Sequence, residues 1–556
     1  MAGWVARRRL HGENLAFIDV RDRSGILQCV VGGTLGLGAE DVVLVEGDVS
    51  QRPEGTRNYN IPSGAIELQN CTVTVLSKAK PLPFAVIDER AEPNESVRFR
   101  YRYLDLRRQR PADNLRLRAT TIRALRLAME AEGFIEVETP LLWSPTPEGA
   151  REFLVPSRLR RGNFYALPQS PQLAKQLLMV AGMDRYYQFA RCARDEDLRA
   201  DRQFEFTQLD IEASFVGATD IIRFIERAVR AAVLQATEID VGPIPVITWQ
   251  ESMERFGTDK PDMRLEPELT DLAKTLAGSE LPGSHEPCIK GLRIPSGAAF
   301  SRKQLDQMVS RARSLGAAGL TWIKFLDAGS QSSAGNRLSE DRRTQIGAAC
   351  RAGVGDLVVV VAGEQRTVSL ALGGLRTTYC KPRPDAEKFA FVWVVDFPLF
   401  EGFDNNNRPI PAHHPFTSPH PEDLHLLEED PLAVRSLAYD LVLNDWEMGS
   451  GSVRIHDQEV QQRIFELLGM PQELIDARFG FLLEAFRYGV PPHAGFALGV
   501  DRLVTKLAGE DNVRELIAFP KTSSGQDPLT SSPQPASAEQ LDQLGLSIAT
   551  AAPDDG

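Results

Sequence analysis

Along the first ninety residues, apolar and polar positions alternate in short runs separated by glycine, proline or asparagine. AFIDVRDRSG, GILQCVV, DVVLVEGDVS and AIELQNCTVTVLS alternate or carry β-branched runs, which predicts strands. About five strands of this length make a small barrel or sandwich. Ala79 to Glu95, with PLPF and AEPNES, reads as a linker.

From Pro111 the period lengthens. In PADNLRLRATTIRALRLAMEAEGF, the residues Leu117, Ile122, Leu125, Leu127 and Met129 fit a helix stopped near Gly133. FIEVETPLL follows as a strand with a proline at its edge. FYALPQS comes next, then a helix at SPQLAKQLLMVAGM, then two strands, YYQFARCARDED and EFTQLDIEASFV, joined by a polar loop. Antiparallel strands flanked by helices predict an α+β arrangement. Residues 271–387 are rich in Ala, Gly and Ser, with a helix at RKQLDQMVSRARSLGAAGL, strands at TWIKFL and DLVVVVAG, and few candidate catalytic groups. They read as an insertion, after which FVWVVDFPLF resumes the core pattern. The predicted division is a barrel at 1–90, a hinge at 91–110, an α+β domain in two parts at 111–270 and 388–525, the insert at 271–387, and a surface tail at 526–556.

At 556 residues the chain exceeds one core, and its 42% hydrophobic and 25% charged content is that of a soluble globular protein. No apolar run approaches the ~20 residues of a membrane-spanning helix, and MAGWVARRRLHGENLAF lacks the apolar centre of a secretory signal. Cys29, Cys71, Cys192, Cys288, Cys350 and Cys380 form no C-x-x-C pair, which suits buried thiols in a reducing cytoplasm. The net charge of −13 by itself argues against a nucleic-acid partner. Between Arg98 and Arg126, however, ten arginines face only Asp105 and Asp113. That run either attracts phosphates locally or belongs to a helix bridging domains or subunits, and charge alone leaves both open.

Four stretches carry candidate chemistry. The first is RDEDLRADRQFEFTQLD, Arg194 to Asp210. On adjacent strands, Arg194 and Glu196 share a face with Phe206, Gln208 and Asp210. Together they offer a guanidinium fork for phosphate, an acceptor for an amino group and an aromatic plate for a base. Arg199, Arg202 and Gln203 lie in a loop able to fold over the same ligand; a salt-bridge lattice is the alternative. The second is YDLVLNDWEMGSGSVRIH, where Asp440 and Glu447 are hard oxygen ligands for Mg²⁺ bridging phosphates. There GSGS permits close backbone approach to a ligand, and Arg454 adds a second fork; solvated carboxylates are the alternative. In HAGFALGVDRL, Gly495 and Gly499 precede Asp501 and Arg502, as where a strand runs under a nucleotide into a helix, or where helices simply pack. In PAHHPFTSP, His413 and His414 lack further ligands at metal spacing and read as substrate contacts or loop packing.

In this order and wording the stretches resemble class II aminoacyl-tRNA synthetases, specifically the bacterial-type aspartyl-tRNA synthetases of subclass IIb. GFIEVETPLL is similar to the first motif of that class, FARCARDE…EFTQLD to its second and GFALGVDR to its third. GWVARRR…FIDVRDRSGILQ, YRYLDLRR, TPEGAREFLVPSR, LPQSPQLAKQLL, GLTWIKF and GSGSVRIHD extend the likeness over nearly the whole chain. The resemblance implies a multidomain α+β protein: an N-terminal OB-fold β-barrel that binds the anticodon, an antiparallel-sheet class II catalytic domain, and an inserted α+β domain.

The activity so implied is aspartate activation by ATP with Mg²⁺, then transfer to tRNA. Arg194, Glu196 and Arg502 would be catalytic. Arg194, Asp195, Glu196, Gln203, Phe206, Glu447, Gly499, Val500, Asp501 and Arg502 would hold ATP, and Asp440 and Glu447 the Mg²⁺. L-Aspartate would be met by Glu148, Ser170, Gln172, Lys175, Arg194, Asp210, His413 and Arg454, with Lys175, Arg454 and His413 closing around its side-chain carboxylate. In the barrel, Phe17 would stack on an anticodon base and Gln28 bond a base edge, while His11 and Gly55 match relaxed members that charge both tRNA(Asp) and tRNA(Asn). A cytoplasmic homodimer through Pro111–Pro140 is also implied. The rival readings are a relative activating asparagine or lysine, and a catalytically silent paralogue that binds nucleic acid or a partner. Ala193 stands where the family usually has Phe, and Phe204 where Pro is common. The short lead before the first strand predicts an imperfectly closed barrel.

Overall fold

The computed structural model describes residues 1–11, 15–33, 36–87, 92–145, 150–279 and 283–549. It divides into two compact units, Met1–Asp113 with Asp527–Ser532, and Asn114–Gln526 with Pro533–Gly556. No helix among the described residues is long and apolar enough to cross a membrane.

In the first unit, β1 (Ala2–Leu10), β2 (Leu15–Asp22), β3 (Gly25–Gly32), β4 (Val42–Gln51) and β5 (Ile66–Ser77) form a closed barrel in the order β1-β2-β3-β5-β4. Alternate residues point inward, so Val5, Ile18, Val20, Cys29, Val31, Val43 and Val45 fill the centre. The barrel closes where imperfect closure was expected: β1 pairs with β2 along its length and with β4 through Ala2↔Leu44 to Trp4↔Val42. The hinge is also more ordered than expected, with short helices at Glu95–Arg100 and Arg102–Asp105.

The arginine run largely answers internal carboxylates. Asp105 is fully buried and accepts from Arg98 Nε at 3.2 Å, Arg102 Nη1 at 2.5 Å and Arg108 Nη1 at 3.2 Å. Arg107 pairs with Glu40 at 2.9 Å, Arg118 with Asp501 at 2.6 Å and Arg126 with Glu136 at 3.0 Å.

The second unit is built on an eight-stranded sheet. Its strands are β6 (Ile135–Glu136), β7 (Arg185–Ala193), β8 (Glu205–Ser214), β9 (Val246–Thr248), β10 (Phe391–Val395), β11 (Ala438–Leu443), β12 (Trp446–Val453) and β13 (His493–Gly499). They run in the order β9-β10-β11-β12-β13-β8-β7-β6, antiparallel except at the two edges. One face is apolar. Ile221, Phe224, Ile225, Ala228, Val229 and Val233 of the helix Ala218–Thr237 pack there with Leu209, Ile211, Ala213, Phe496 and Leu498. The helix predicted from Pro111 spans Gln109–Ala131, but Leu127 faces solvent at 56% exposure. FIEVETPLL contributes only the two residues of β6, leaving Leu141 and Leu142 exposed.

Between β9 and β10 a separate five-stranded sheet forms from Leu269–Asp271, Cys288–Ile294, Leu357–Gly363, Thr321–Leu326 and Gly329–Ser332, in that spatial order. The helices Arg302–Ser314 and Gln365–Tyr379 cover one face through Leu305, Met308, Val368 and Leu372. At its base, buried Arg376 donates to the carbonyls of Asp262, Leu265 and Pro267, and Leu265 bridges Pro382.

Asp105→Asn leaves three guanidiniums facing a neutral amide in a buried place. The expected loss is about 3–5 kcal/mol, as when one partner of a buried ion pair is removed, read as a lowered urea midpoint of the full-length chain. A midpoint equal to that of the unsubstituted chain would mean that water or other groups already neutralise the three arginines.

Candidate functional site

The polar face of the sheet carries the chemistry. Because side chains alternate along β8, Leu209, Ile211 and Ala213 enter the core while Phe206, Gln208, Asp210 and Glu212 face the other way. Antiparallel pairing sets Phe206 opposite Cys192, Gln208 opposite Ala190 and Asp210 opposite Gln188. Over this face lies a cavity of about 870 Å³. Apart from Asp195, Val500 and Glu148, every residue proposed above for aspartate, nucleotide or metal lines it. Glu148 lies outside the described residues.

One end of the cavity is a buried charge network. Lys175 Nζ lies 3.0 Å from Asp210 Oδ1 and 3.4 Å from Glu212 Oε2, and also donates to the carbonyl of Ile211. Arg454 forks onto Glu212 at 2.8 and 3.2 Å, and its Nη1 reaches Ser452 Oγ at 2.7 Å and His414 Nε2 at 2.8 Å. Burial pushes the Glu212 carboxyl up, but Arg454 and Lys175 outweigh it and hold the pKa below its usual range. Burial dominates at Asp210, whose pKa is raised. Burial and the Arg454 charge press His414 well below its usual value. Nδ1 of His414 accepts from the Phe416 amide at 3.2 Å, and Nε2 is the nitrogen that faces Arg454. Nearby, Ser170 Oγ accepts from the Gln172 amide at 3.2 Å and Gln172 donates to Gln176.

Glycines serve this end differently from the expectation. A Cβ on Gly495 would stand 1.8 Å from Glu212 Oε2, so the missing side chain is the room that the carboxylate occupies. Gly449 and Gly451 border the cavity with backbone, but their Cβ directions point at the Phe496 ring and at carbonyls of β13. The missing side chains of Gly449 and Gly451 thus make room within the sheet, while the GSGS run borders the cavity.

At the other end, the Arg194 guanidinium lies 5.1 Å from the Phe206 ring centre, within cation–π range. The Arg194 amide bonds the Phe204 carbonyl at 2.8 Å, extending the β7–β8 ladder. The loop folds on itself, with Glu196 paired to Arg202 at 3.0 Å and Gln203 bonded to the Arg202 carbonyl. Arg502 donates to the Glu447 carbonyl at 3.0 Å and to Asp201 at 3.1 Å. Three residues proposed for ATP behave otherwise. Asp195 is off the cavity, its backbone bridged to Arg151. Val500 is wholly buried in the core. Asp501 borders the cavity, but its carboxylate binds Arg118 and the Thr207 amide, both at 2.6 Å. It therefore fixes the helix Val500–Ala508 against β8, and Arg502 is the residue thereby aimed.

Asp440 and Glu447 face the cavity from β11 and β12. Burial raises the Asp440 pKa, whereas Lys260 at 2.9 Å and Arg502 at 3.8 Å keep Glu447 low against its burial. Among the described residues no cluster of three or more His, Cys, Asp or Glu forms a metal site. Two carboxylates nevertheless suit Mg²⁺, which commonly takes one or two from the protein and the rest from phosphates and water. His413 departs from its expected place: Nε2 lies 3.9 Å from Asp440, and the ring stands edge-on to Phe397. Burial lowers its pKa, but Asp440 and Glu447 raise it on balance. His414, not His413, neighbours Arg454.

Arg194 Nε, Asp210 Oδ2, His413 Nδ1 and Asp440 Oδ1 are buried without a hydrogen-bond partner among the described residues. Since nearly all buried polar atoms are bonded, four such atoms on residues of one cavity mark it for a polar ligand. Sequence reasoning missed Glu212, Lys260, Arg366 and Leu370, which meet or border the same space. Period-two counting two residues past Asp210 would have found Glu212. Arg366 and Leu370, from the insert, gave no signal.

In the barrel, the rings of His11 and Phe17 are 6.3 Å apart and edge-on. Gly55 occupies an exposed turn at φ +81°. Gln28 departs from its expected role: it is buried, accepts from Arg9 at 2.9 Å and donates to Glu67 at 2.7 Å.

A closed five-stranded barrel together with an antiparallel sheet bearing this cavity defines a class II synthetase architecture. The chain belongs to the family described as tRNA synthetases class II (D, K and N), whose model matches residues 94–523, and residues 1–76 match an OB-fold nucleic acid binding domain. It is 46% identical to an Aspartate--tRNA(Asp/Asn) ligase of Caldanaerobacter subterraneus subsp. tengcongensis, over 98% of this chain and 95% of that protein. It is 45% identical to an Aspartate--tRNA ligase of Lysinibacillus sphaericus, over 99% and 96%. The fold is similar to the asparaginyl-tRNA synthetase from Pyrococcus horikoshii complexed with asparaginyl-adenylate, with a TM-score of 0.56, 21% identity and 94% of each chain covered.

Gly495→Ala should displace the Glu212 carboxylate and cost about 1–3 kcal/mol, the usual penalty of overpacking a buried site. Thermal unfolding of the full chain measures it, and an unchanged midpoint would place Glu212 elsewhere.

Proposed function

We propose that the chain is an aspartate–tRNA ligase, which joins L-aspartate to ATP as aspartyl-adenylate and passes the aspartyl group to tRNA. The observation that carries this reading is the pair Lys175 and Arg454, two buried cations that border the same cavity as Arg194, Phe206 and Arg502. The names of the relatives agree with it.

A carboxylate oxygen of aspartate attacks the α-phosphorus of ATP. The bond from that phosphorus to the oxygen bridging the β-phosphate breaks, and pyrophosphate leaves. No protein nucleophile is needed; positioning and neutralised charge supply the rate. Arg194 holds the α-phosphate beside the attacking carboxylate, Phe206 and Arg502 sandwich the adenine, Glu196 takes its amino group, and Gln203 lies along the nucleotide. Asp440 and Glu447 would hold Mg²⁺, which neutralises phosphate charge when bound. Ser170, Gln172 and Asp210, with Glu148 from the 146–149 segment, orient the amino group of aspartate. Asparagine has nearly the same shape, so selection works through charge. Asp210 and Glu212 already balance Lys175 and Arg454, so the preference rests on the charge-assisted bonds that a substrate carboxylate takes from these donors, about twice as strong as those a neutral amide would take.

A terminal hydroxyl of tRNA then attacks the acyl carbon and AMP leaves. Phe17, with His11 against it, is the stacking platform for an anticodon base. His11 and Gly55 support the relaxed form, in which tRNA(Asp) and tRNA(Asn) are both substrates. Leu127, Ile135, Leu141 and Leu142, all more than half exposed around the first motif, support a homodimer through that face. The enzyme works in the cytoplasm.

Pyrophosphate exchange should require L-aspartate, ATP and Mg²⁺, and Arg194→Ala should lower it by about 10³-fold or more, as for loss of a charged group at a reacting centre. Exchange driven by L-asparagine would overturn the assignment. Phe17→Ala should cut charging of tRNA(Asp) and tRNA(Asn) alike, by about tenfold for one lost stacking contact, with exchange intact. Equal loss in both assays would remove the barrel from anticodon binding, and failure of the parent chain to charge tRNA(Asn) would end the relaxed reading.

A further inference from the structure

Lys260 has no part in the mechanism so far, yet it lines the cavity. It follows the helix Trp249–Arg255 in the turn GTDKPD. That turn is pinned by Ser252 Oγ donating to the Thr258 carbonyl at 2.7 Å and by Thr258 Oγ1 accepting from the Lys260 amide at 3.1 Å. From there the side chain extends to Glu447, with Nζ 2.9 Å from Oε2. The side chain keeps 40% of its exposure and borders the cavity with Asp259, Glu447 and Arg502.

Of the cations that border the cavity, Lys260 makes the shortest ion pair with Glu447, at 2.9 Å against 3.8 Å for Arg502. Lys175 and Arg454 are locked by Asp210 and Glu212. Arg502 is held by the Glu447 carbonyl and Asp201, and Arg194 lies over Phe206. Lys260 instead pairs with a carboxylate assigned above to a divalent cation. Both positive charges cannot share Glu447 without strong repulsion. The displaced ammonium needs another anion, and the nearest large one would be the triphosphate tail. A lysine suits the exchange, being a compact point charge on a flexible four-carbon stem rather than a rigid fork.

We propose that Lys260 is a catalytic residue on the leaving-group side: it holds Glu447 in the free enzyme, yields it to a divalent cation, and turns to the β- and γ-phosphates and then to the departing pyrophosphate. This rests on the nucleotide reading of the cavity given above. Lys260 stays protonated throughout; the electron pair of the broken P–O bond remains on pyrophosphate, and the ammonium offsets that charge where it develops.

Lys260→Met in the full-length chain tests this through two binding measurements of opposite sign. Mn²⁺ alone, followed by electron paramagnetic resonance, should bind about threefold or more tighter, because a competing positive charge has left Glu447. Inorganic pyrophosphate, followed by calorimetry, should bind about tenfold or more weaker, and the exchange kcat should fall about 10²-fold with the KM for aspartate nearly constant. Lys260→Gln repeats both measurements with a polar side chain, should the apolar one disturb the turn. Unchanged pyrophosphate binding overturns the proposal. So does weakening of Mn²⁺ and pyrophosphate together, which would mark Lys260 as a prop for Glu447. Absence of aspartate-dependent exchange in the parent chain would instead sink the nucleotide reading, while the two binding shifts still report on Lys260.

Discussion

Glu212 is fully buried, and its carboxylate is divided between Lys175 and Arg454. The rest of the site depends on this arrangement. Two cations so deep inside a protein would be intolerable alone, and removing one partner from a buried ion pair is strongly destabilising. With Asp210 and Glu212 present, the four charges sum to zero, so the pocket can exist before a ligand arrives. A side-chain carboxylate entering beside Lys175 and Arg454 meets donors already held in place, and little ordering remains to oppose binding. The same balance explains the glycine beneath the pocket: any side chain at residue 495 would take the space that the Glu212 carboxylate fills.

That geometry follows from one strand with two faces. Along β8, Leu209, Ile211 and Ala213 are anchored by the helix Ala218–Thr237. A one-residue slip would send Asp210 and Glu212 into the apolar layer, so hydrophobic packing on one side fixes the charge register on the other. Asp501 performs a similar service at the nucleotide end. By binding the Thr207 amide and Arg118 it ties β8, the long helix Gln109–Ala131 and the helix Val500–Ala508 into one block. Arg502 points into the cavity because that block is rigid.

The period-two pattern made the sheet and most of its polar face legible. Phe206, Gln208 and Asp210 stand together as alternation requires, and the motif glycines and arginines fall around one cavity. What stayed hidden depends on partners distant in sequence. Nothing local says that Gln28 will be held between Arg9 and Glu67, or that Asp501 will face Arg118 rather than a ligand. His413 and His414 are neighbours with opposite surroundings, one beside Asp440 and one beside Arg454, and only the turn of the backbone between them decides which is which. The arginine run between Arg98 and Arg126 is the sharpest case. Its charge count left a phosphate surface and a bridging helix both open, and Asp105, Glu40, Asp501 and Glu136 take up much of that charge.

The inserted domain illustrates how composition misleads about function. Its Ala, Gly and Ser content and its own apolar cores describe a self-contained α+β module. Yet Arg366 and Leu370, on the first turns of its helix Gln365–Tyr379, border the cavity opposite the sheet. Arg366 is fastened there by the Glu401 carbonyl at 2.6 Å, a residue that belongs to the chain after the insertion. At the far end of the same helix, Arg376 is sunk among the carbonyls of Asp262, Leu265 and Pro267, which precede it. One helix is therefore bonded to the chain on both sides of the insertion, and its position relative to the catalytic sheet is set at two points. An element held in that way is a fixed wall of the site, placed by the chain on either side of the insertion rather than by the insert's own core.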